Sequence, residues 1–295
     1  MTDKISTAST QAITPELRRW IVDQAEAGCR PQDVIESMKT SGWNEDVAIK
    51  AMENTLREHL AALPVEGDYA AEDLPPATAV PGPALDAAPT LLDVAGHRMQ
   101  VLTTMKHPRV VVFGGLLTDE ECSALMALAA PRLARSETVD NATGGSEVNA
   151  ARTSDGMFFE RGEHALIRTI EQRIADLLQW PLENGEGLQI LRYRPGAEYR
   201  PHHDYFDPVH SGTPRILERG GQRVATLVMY LNTPDSGGAT TFPDVGLEVA
   251  PVRGNAVFFS YDRAHVSTKT LHGGAPVTAG EKWVATKWLR QGVFV

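Results

Sequence analysis

An α+β fold whose C-terminal part is a sandwich or jelly roll is predicted by three features of the 295-residue chain. Beyond Gly187, apolar runs of strand length recur between turns rich in Gly and Pro, as in layered antiparallel architectures. Two stretches of helical periodicity precede them and are expected to buttress one sheet. The first 60 residues form a separate pattern of closely spaced amphipathic helices.

Residues 14–60 read as three helices. Thr14 is placed as an N-cap with Pro15 at N1 and Glu16 behind it; Leu17, Trp20, Ile21 and Ala25 share a face, and Gly28 ends the helix. Pro31 opens a second helix carrying Val34, Ile35 and Met38, which stops near Gly42. A third follows Trp43 and Asn44, with Val47, Ala48, Ala51, Met52 and Leu56 on its inner side. This 1–60 unit, with its Gly-containing first turn and SGW before the third helix, resembles ubiquitin-associated-type three-helix modules. It is expected either to stabilise the chain or to dock a protein partner, and no residue in it suggests chemistry. Residues 61–90, with Pro64, Pro75, Pro76, Pro81, Pro83 and Pro89 among Ala, Gly and acids, read as a semi-extended linker that buries little.

The large domain is expected over 91–295. Arg109–Phe113 is a short apolar strand. Thr118, followed by three acids, caps a helix expected to run to about Arg135, with Cys122, Leu125, Met126 and Ala129 inside. Val139–Ala151 is Gly- and Asn-rich and reads as a loop, and RTSDGMFF after it as a strand. Glu163–Leu178 is a second amphipathic helix. The strands that follow include Val224–Leu231, Leu247–Val252, Ala256–Tyr261 and Lys282–Leu289, with a Gly237-Gly238 turn before ATTF.

Bulk properties narrow the function. A net charge of −10 argues against a nucleic-acid or anionic-membrane surface. No apolar run approaches the roughly 20 residues of a membrane span, and the N-terminus lacks the apolar core of a secretory signal. The two cysteines, Cys29 and Cys122, have no metal-ligand spacing and read as thiols in a reducing compartment, so a cytoplasmic location is expected.

The chemistry concentrates in QILRYRPGAEYRPHHD, Gln189–Asp204. If the segment is extended, His202 and Asp204 point to one side and His203 to the other. The distant His272, in LHGGAPVTAGEKWVATKWL, is the candidate third ligand. Two imidazoles and one carboxylate with open positions form the donor set of non-haem Fe(II). Lys282 follows His272 by ten residues across a Gly-Gly/Pro turn. The two strands are expected to be adjacent and antiparallel, with Lys282, Val284, Thr286 and Trp288 on one interior face. A lysine facing an interior is costly unless an anion meets it. His210 and His265 lack a carboxylate in matching phase, and His59, His97, His107 and His164 read as surface residues.

The segments YRPGAEYRPHHDYF, VMYLNTPDSGGATTFP and TLHGGAPVTAGEKWVATKWL, in that order, closely resemble the catalytic domain of prolyl 4-hydroxylases. The resemblance runs from about Arg109 to the C-terminus. It implies a double-stranded β-helix, Fe(II) as metal, 2-oxoglutarate and O2 as cosubstrates, and ascorbate as a further cofactor. It implies iron ligation by His202, Asp204 and His272, and a Lys282 pair with the far carboxylate of 2-oxoglutarate. Tyr193 and Thr240 would line the same pocket. Arg152, Ser154 and Trp288 would lie near the substrate, a proline-containing peptide or protein, with Val139–Ala151 as a lid over it. The competing expectations are hydroxylation of a free amino acid or another side chain, and, from a different class, a binding module in which the barrel is only a scaffold.

Overall fold

The computed structural model describes residues 13–26, 29–62, 74–136, 138–139, 146–147 and 153–295. Gly28, Arg152 and most of Val139–Ala151 lie outside them. Its contacts divide the chain into two units, Met1–Glu72 and Asp73–Val295. In the first, helices α1 (Pro15–Glu26), α2 (Pro31–Thr40) and α3 (Glu45–Ala62) bury Ile21, Val34, Met38, Ala48, Ala51 and Met52 together. Proline at the start of α1 and α2 fits because its missing N–H is one that a first helical turn leaves unpaired. None of the described helices is long and apolar enough to cross a membrane.

The Pro-rich 61–90 stretch departs from its expected character. Residues 61 and 62 complete α3, and the half from Leu74 onward lies on the second unit. Pro81 and Pro83 are buried, Gly82 N–H donates to Leu178 O (2.9 Å), and Thr78 N–H donates to Asp262 O (2.8 Å). Prolines lack donors, so a few intervening N–H groups suffice to seat such a strap.

The second unit is built on a nine-stranded, wholly antiparallel major sheet. Its order is Leu91–Val94, His97–Met105, Arg109–Gly114, Ala256–Ser260, Arg223–Tyr230, Lys282–Arg290, Leu188–Tyr193, Asp155–Phe159 and Ala134–Arg135. Alternation of side chains gives this sheet two apolar faces. Phe113, Ala225, Leu227, Met229, Ile190 and Ala285 meet Leu125, Ile167, Ile170 and Ile174 of helices α4 (Asp119–Ala129) and α5 (Ala165–Leu178). The opposite residues, Val112, Leu191, Tyr193, Tyr230 and Val284, meet Phe242 and Val249 of a four-stranded minor sheet. That sheet runs Leu247–Val249, Thr240–Phe242, His272–Gly274, Tyr199–His202. Both faces of the Lys282–Arg290 strand are covered, and all nine of its residues are buried.

Helix α4 is shorter than its expected span to Arg135. Pro131 cannot continue the ladder, so a single 3₁₀ turn, Ala130–Arg132, ends it and Ala134–Arg135 joins the sheet. Its start is a capping box: Glu121 N–H donates to Thr118 Oγ1 (3.2 Å), and Thr118 N–H to Glu121 Oε2 (3.0 Å). The same carboxylate holds both terminal nitrogens of Arg173 on α5, at 2.7 and 2.8 Å. Thr118→Ala is therefore expected to lower the unfolding free energy by about 1 kcal/mol. Urea unfolding reads this as a lower midpoint, and an unchanged midpoint would show that Arg173 alone positions Glu121.

The strands of His272 and Lys282 also differ from expectation. They are not neighbours: His272–Gly274 pairs with Tyr199–His202 in the minor sheet, and Lys282–Arg290 pairs with Leu188–Tyr193 and Arg223–Tyr230 in the major sheet. The nine residues between His272 and Lys282 cross the sandwich. They are long enough for a further short strand, Val277–Ala279, which pairs with Ser236–Gly237. The two side chains consequently approach one cavity from opposite walls.

Candidate metal and cosubstrate site

Register assembles the metal cluster. His272 lies directly opposite His202 in the antiparallel pair, so both imidazoles project from one face of the minor sheet. The strand ends at His202 and the chain turns, bringing Asp204 to the same place. One ligand atom from each of the three residues lies within 4.8 Å of the others, the only such His/Cys/Asp/Glu trio among the described residues. Gly273 allows the close strand approach, since a Cβ there would stand 2.9 Å from Tyr199 O.

The hydrogen bonds around the trio fix its chemistry. His202 Nδ1 lies 2.9 Å from Arg200 O, and His272 Nδ1 lies 3.0 Å from Thr270 O. A carbonyl only accepts, so each Nδ1 carries the proton and each Nε2 presents a lone pair. Those Nε2 atoms stand 3.5 and 3.3 Å from the Asp204 carboxylate. Burial, and after it the nearness of His272, lowers the His202 pKa, which favours the neutral ring able to ligate. Burial of Asp204 works against its charged form, but the His272 and His202 imidazoles outweigh it and hold the carboxyl well below its usual range. A buried, ionised carboxylate beside two imidazole Nε2 atoms fits a divalent metal and matches the facial N2O set of Fe(II). His203 turns aside as expected and stacks on Tyr205, with ring centroids 4.6 Å apart.

The opposite wall supplies a cation. Lys282 Nζ is buried, 5.4 Å from the Tyr193 ring centroid and 5.8 Å from that of Tyr230. No carboxylate pairs with it among the described residues, and burial alone pushes its pKa down to about 8. Such an ammonium calls for an anion from outside the chain. Its surroundings offer hydroxyls: Tyr193 sits opposite it in register, and Thr240 Oγ1 accepts from Tyr230 (2.8 Å). The pocket between metal cluster and lysine is walled by Tyr193, Tyr199, Thr226, Thr240, Thr286 and Trp288.

Of the residues expected near substrate, Trp288 lines this pocket and Ser154 does not. Ser154 is fully buried, and its hydroxyl is bonded to that of Ser136 (2.9 Å). Arg152 falls outside the described residues. His210 is exposed, and His265 caps a 3₁₀ turn by accepting from Ser267 N–H (3.1 Å). Two site residues not expected from the sequence are Tyr199, whose ring stacks on His202 at 3.7 Å between centroids, and Thr226, whose hydroxyl bonds Asp204. Thr226 was visible as the one polar residue inside the apolar run VATLVMYL. Nothing in sequence marked Tyr199 off from the other tyrosines.

A model of the 2OG-Fe(II) oxygenase superfamily matches residues 188–290, the segment holding all three cluster residues and Lys282. Prolyl 4-hydroxylase 5 of Arabidopsis thaliana is 42% identical over 203 residues, covering 61% of this chain and 68% of that protein. Prolyl 4-hydroxylase 1 of the same plant is 44% identical over 202 residues, covering 62% and 69%. Among solved structures, the 2OG complex of the viral collagen prolyl hydroxylase from Paramecium Bursaria Chlorella virus-1 is similar at a TM-score of 0.48. It is 29% identical and covers 61% of this chain and 95% of that chain.

Proposed function

This chain belongs to the prolyl 4-hydroxylase family of Fe(II)- and 2-oxoglutarate-dependent dioxygenases, and we propose that it hydroxylates proline within a peptide or protein. The two facing sheets are read as that family's double-stranded β-helix. His202, Asp204 and His272 would hold Fe(II), and Lys282, with the Tyr193 and Thr240 hydroxyls, would hold the far carboxylate of 2-oxoglutarate. When bound, iron with 2-oxoglutarate and O2 supplies the oxidation, releasing succinate and CO2 and placing one oxygen on an unactivated C–H. The chain's own part is to bind, to orient and to keep water away from that oxidation.

The observation that carries the choice of substrate is the charge inventory of the pocket. Its described charged residues are the metal cluster and Lys282, so each is already committed to a cosubstrate or the metal. A free amino acid would need further partners for its own ammonium and carboxylate, whereas a prolyl residue inside a chain carries neither. Beside the pocket residue Trp288, at 6.4 Å between ring centroids, Phe158 is about half exposed. Aromatic surfaces of this kind suit a proline-rich, polyproline-II segment. The expected result is that proline-containing peptides raise succinate formation strongly and gain one oxygen by mass spectrometry, while free L-proline does neither. Stimulation by free proline with none by peptides would overturn the substrate class.

Both cysteines are free, Cys29 exposed and Cys122 buried, which supports a reducing, cytoplasmic setting. The α1–α3 unit would act as a ubiquitin-associated-like docking module, and ascorbate as an accessory reductant.

A further inference from the structure

Within the metal cluster, Asp204 has partners beyond the two histidines. Thr226 Oγ1 lies 2.6 Å from Asp204 Oδ2, and Tyr261 Oη lies 3.1 Å from Thr226 Oγ1. Thr226 and Tyr261 are essentially inaccessible to solvent, at 0% and 1% exposure, so water does not compete for these bonds. The direction of the chain is fixed by its end. An ionised carboxylate only accepts, so Thr226 donates its single hydroxyl proton to Asp204, and Tyr261 must then donate to Thr226. Charge-assisted O–H···O⁻ bonds of this length are among the strong ones, and successive donors polarise each other.

The two hydroxyls come from elements set independently of the cluster. Thr226 is on the central strand Arg223–Tyr230 and faces Trp288 in register; Tyr261 directly follows the strand Ala256–Ser260. The Tyr261 ring packs against Phe259 and Tyr205 and cannot easily swing away. The major sheet thereby grips one oxygen of a carboxylate carried by the segment after the minor sheet. We infer that Thr226 and Tyr261 are positioning residues, forming a two-hydroxyl relay that fixes the rotation of the Asp204 carboxylate and so its presentation to the metal.

This inference rests on the iron reading, and its test separates the two. Co(II) titrated into the apoprotein, followed by calorimetry and by the visible absorption of the bound ion, reports the cluster without any turnover. Thr226→Val keeps the side-chain shape and removes the donor; it is expected to weaken Co(II) binding by about 10–100-fold, the usual cost of losing an outer partner of a metal ligand. Thr226→Ser restores the hydroxyl and is expected to bind nearly as wild type. Tyr261→Phe is expected to weaken binding by a smaller factor. Because Tyr261 acts only through Thr226, adding Tyr261→Phe to Thr226→Val is expected to cost little more. A merely structural tyrosine would instead give additive losses. If Thr226→Val fails to fold, by its circular dichroism, Tyr261→Phe and Thr226→Ser still decide. Unchanged affinity in Tyr261→Phe, or a Thr226→Ser variant as weak as a folded Thr226→Val, would overturn the relay. A wild-type chain that bound no Co(II) would overturn the iron reading itself.

Discussion

His272→Ala is expected to abolish turnover while leaving a folded protein. The imidazole supplies one of three ligand atoms gathered within 4.8 Å, and its Nδ1 is committed to Thr270 O. Losing an outer partner of a metal ligand costs about 10–100-fold, so losing a ligand outright is expected to cost more than that in Co(II) affinity. The fold does not depend on it to the same degree. The ring packs against Phe259 and Phe242, at 4.5 and 6.1 Å between centroids, and these belong to a core that continues through Tyr193, Tyr230 and Val284. His210→Ala and His265→Ala provide the contrast. One is exposed and the other caps a short turn, and both variants are expected to keep wild-type iron dependence. Succinate production with a proline peptide, together with circular dichroism, checks all three. Wild-type activity in His272→Ala would remove it from the cluster.

The parts legible in sequence are those governed by local rules. Period two placed Lys282, Val284, Thr286 and Trp288 on one face, and all four line the pocket. Capping chemistry located the start of α4 at Thr118 to the residue. The places where sequence reading failed are set by longer-range geometry. Adjacency in sequence suggested that the His272 and Lys282 strands pair, yet a jelly-roll-like connection passes from one sheet to the other between them. No local pattern distinguishes such a crossing from a hairpin when the intervening residues are Gly- and Pro-rich. The Pro-rich strap departs from expectation for a related reason, because composition cannot reveal that a surface such as Leu178 and Asp262 awaits it. The resemblance implies that Ser154 lies near the substrate, and in the structure its hydroxyl bonds that of Ser136. Thr226 and Tyr261 are 35 residues apart, and only the sheet order brings them together at Asp204.

Lys282→Met is expected to make the ligand-free protein more stable and nearly unable to use 2-oxoglutarate. Lys282 is buried, lacks a carboxylate partner among the described residues, and has its pKa pushed down to about 8 by burial. In the unfolded chain a lysine titrates near 10.4. Below pH 8 both states hold the proton, and the folded state bears the full cost of the buried charge. Between about pH 8 and 10.4 the unfolded chain binds the extra proton, so the stability of the wild-type apoprotein is expected to rise with pH across that window. The depression corresponds to on the order of 3 kcal/mol. Methionine has similar length and no charge, so Lys282→Met should show a higher midpoint in urea at pH 7, a gain that shrinks as the pH passes through the same window. Affinity moves the other way. Removing one partner of a buried ion pair costs roughly 3–5 kcal/mol, a few hundred-fold or more in the KM for 2-oxoglutarate, while Co(II) binding at the histidine cluster is left nearly intact. The wild-type KM for 2-oxoglutarate should itself climb above pH 8, because the neutral amine must first regain a proton to meet the carboxylate. A Lys282→Met variant with unchanged KM, or one less stable than wild type at pH 7, would show that the ammonium is already paired in the ligand-free protein and that another group receives the cosubstrate.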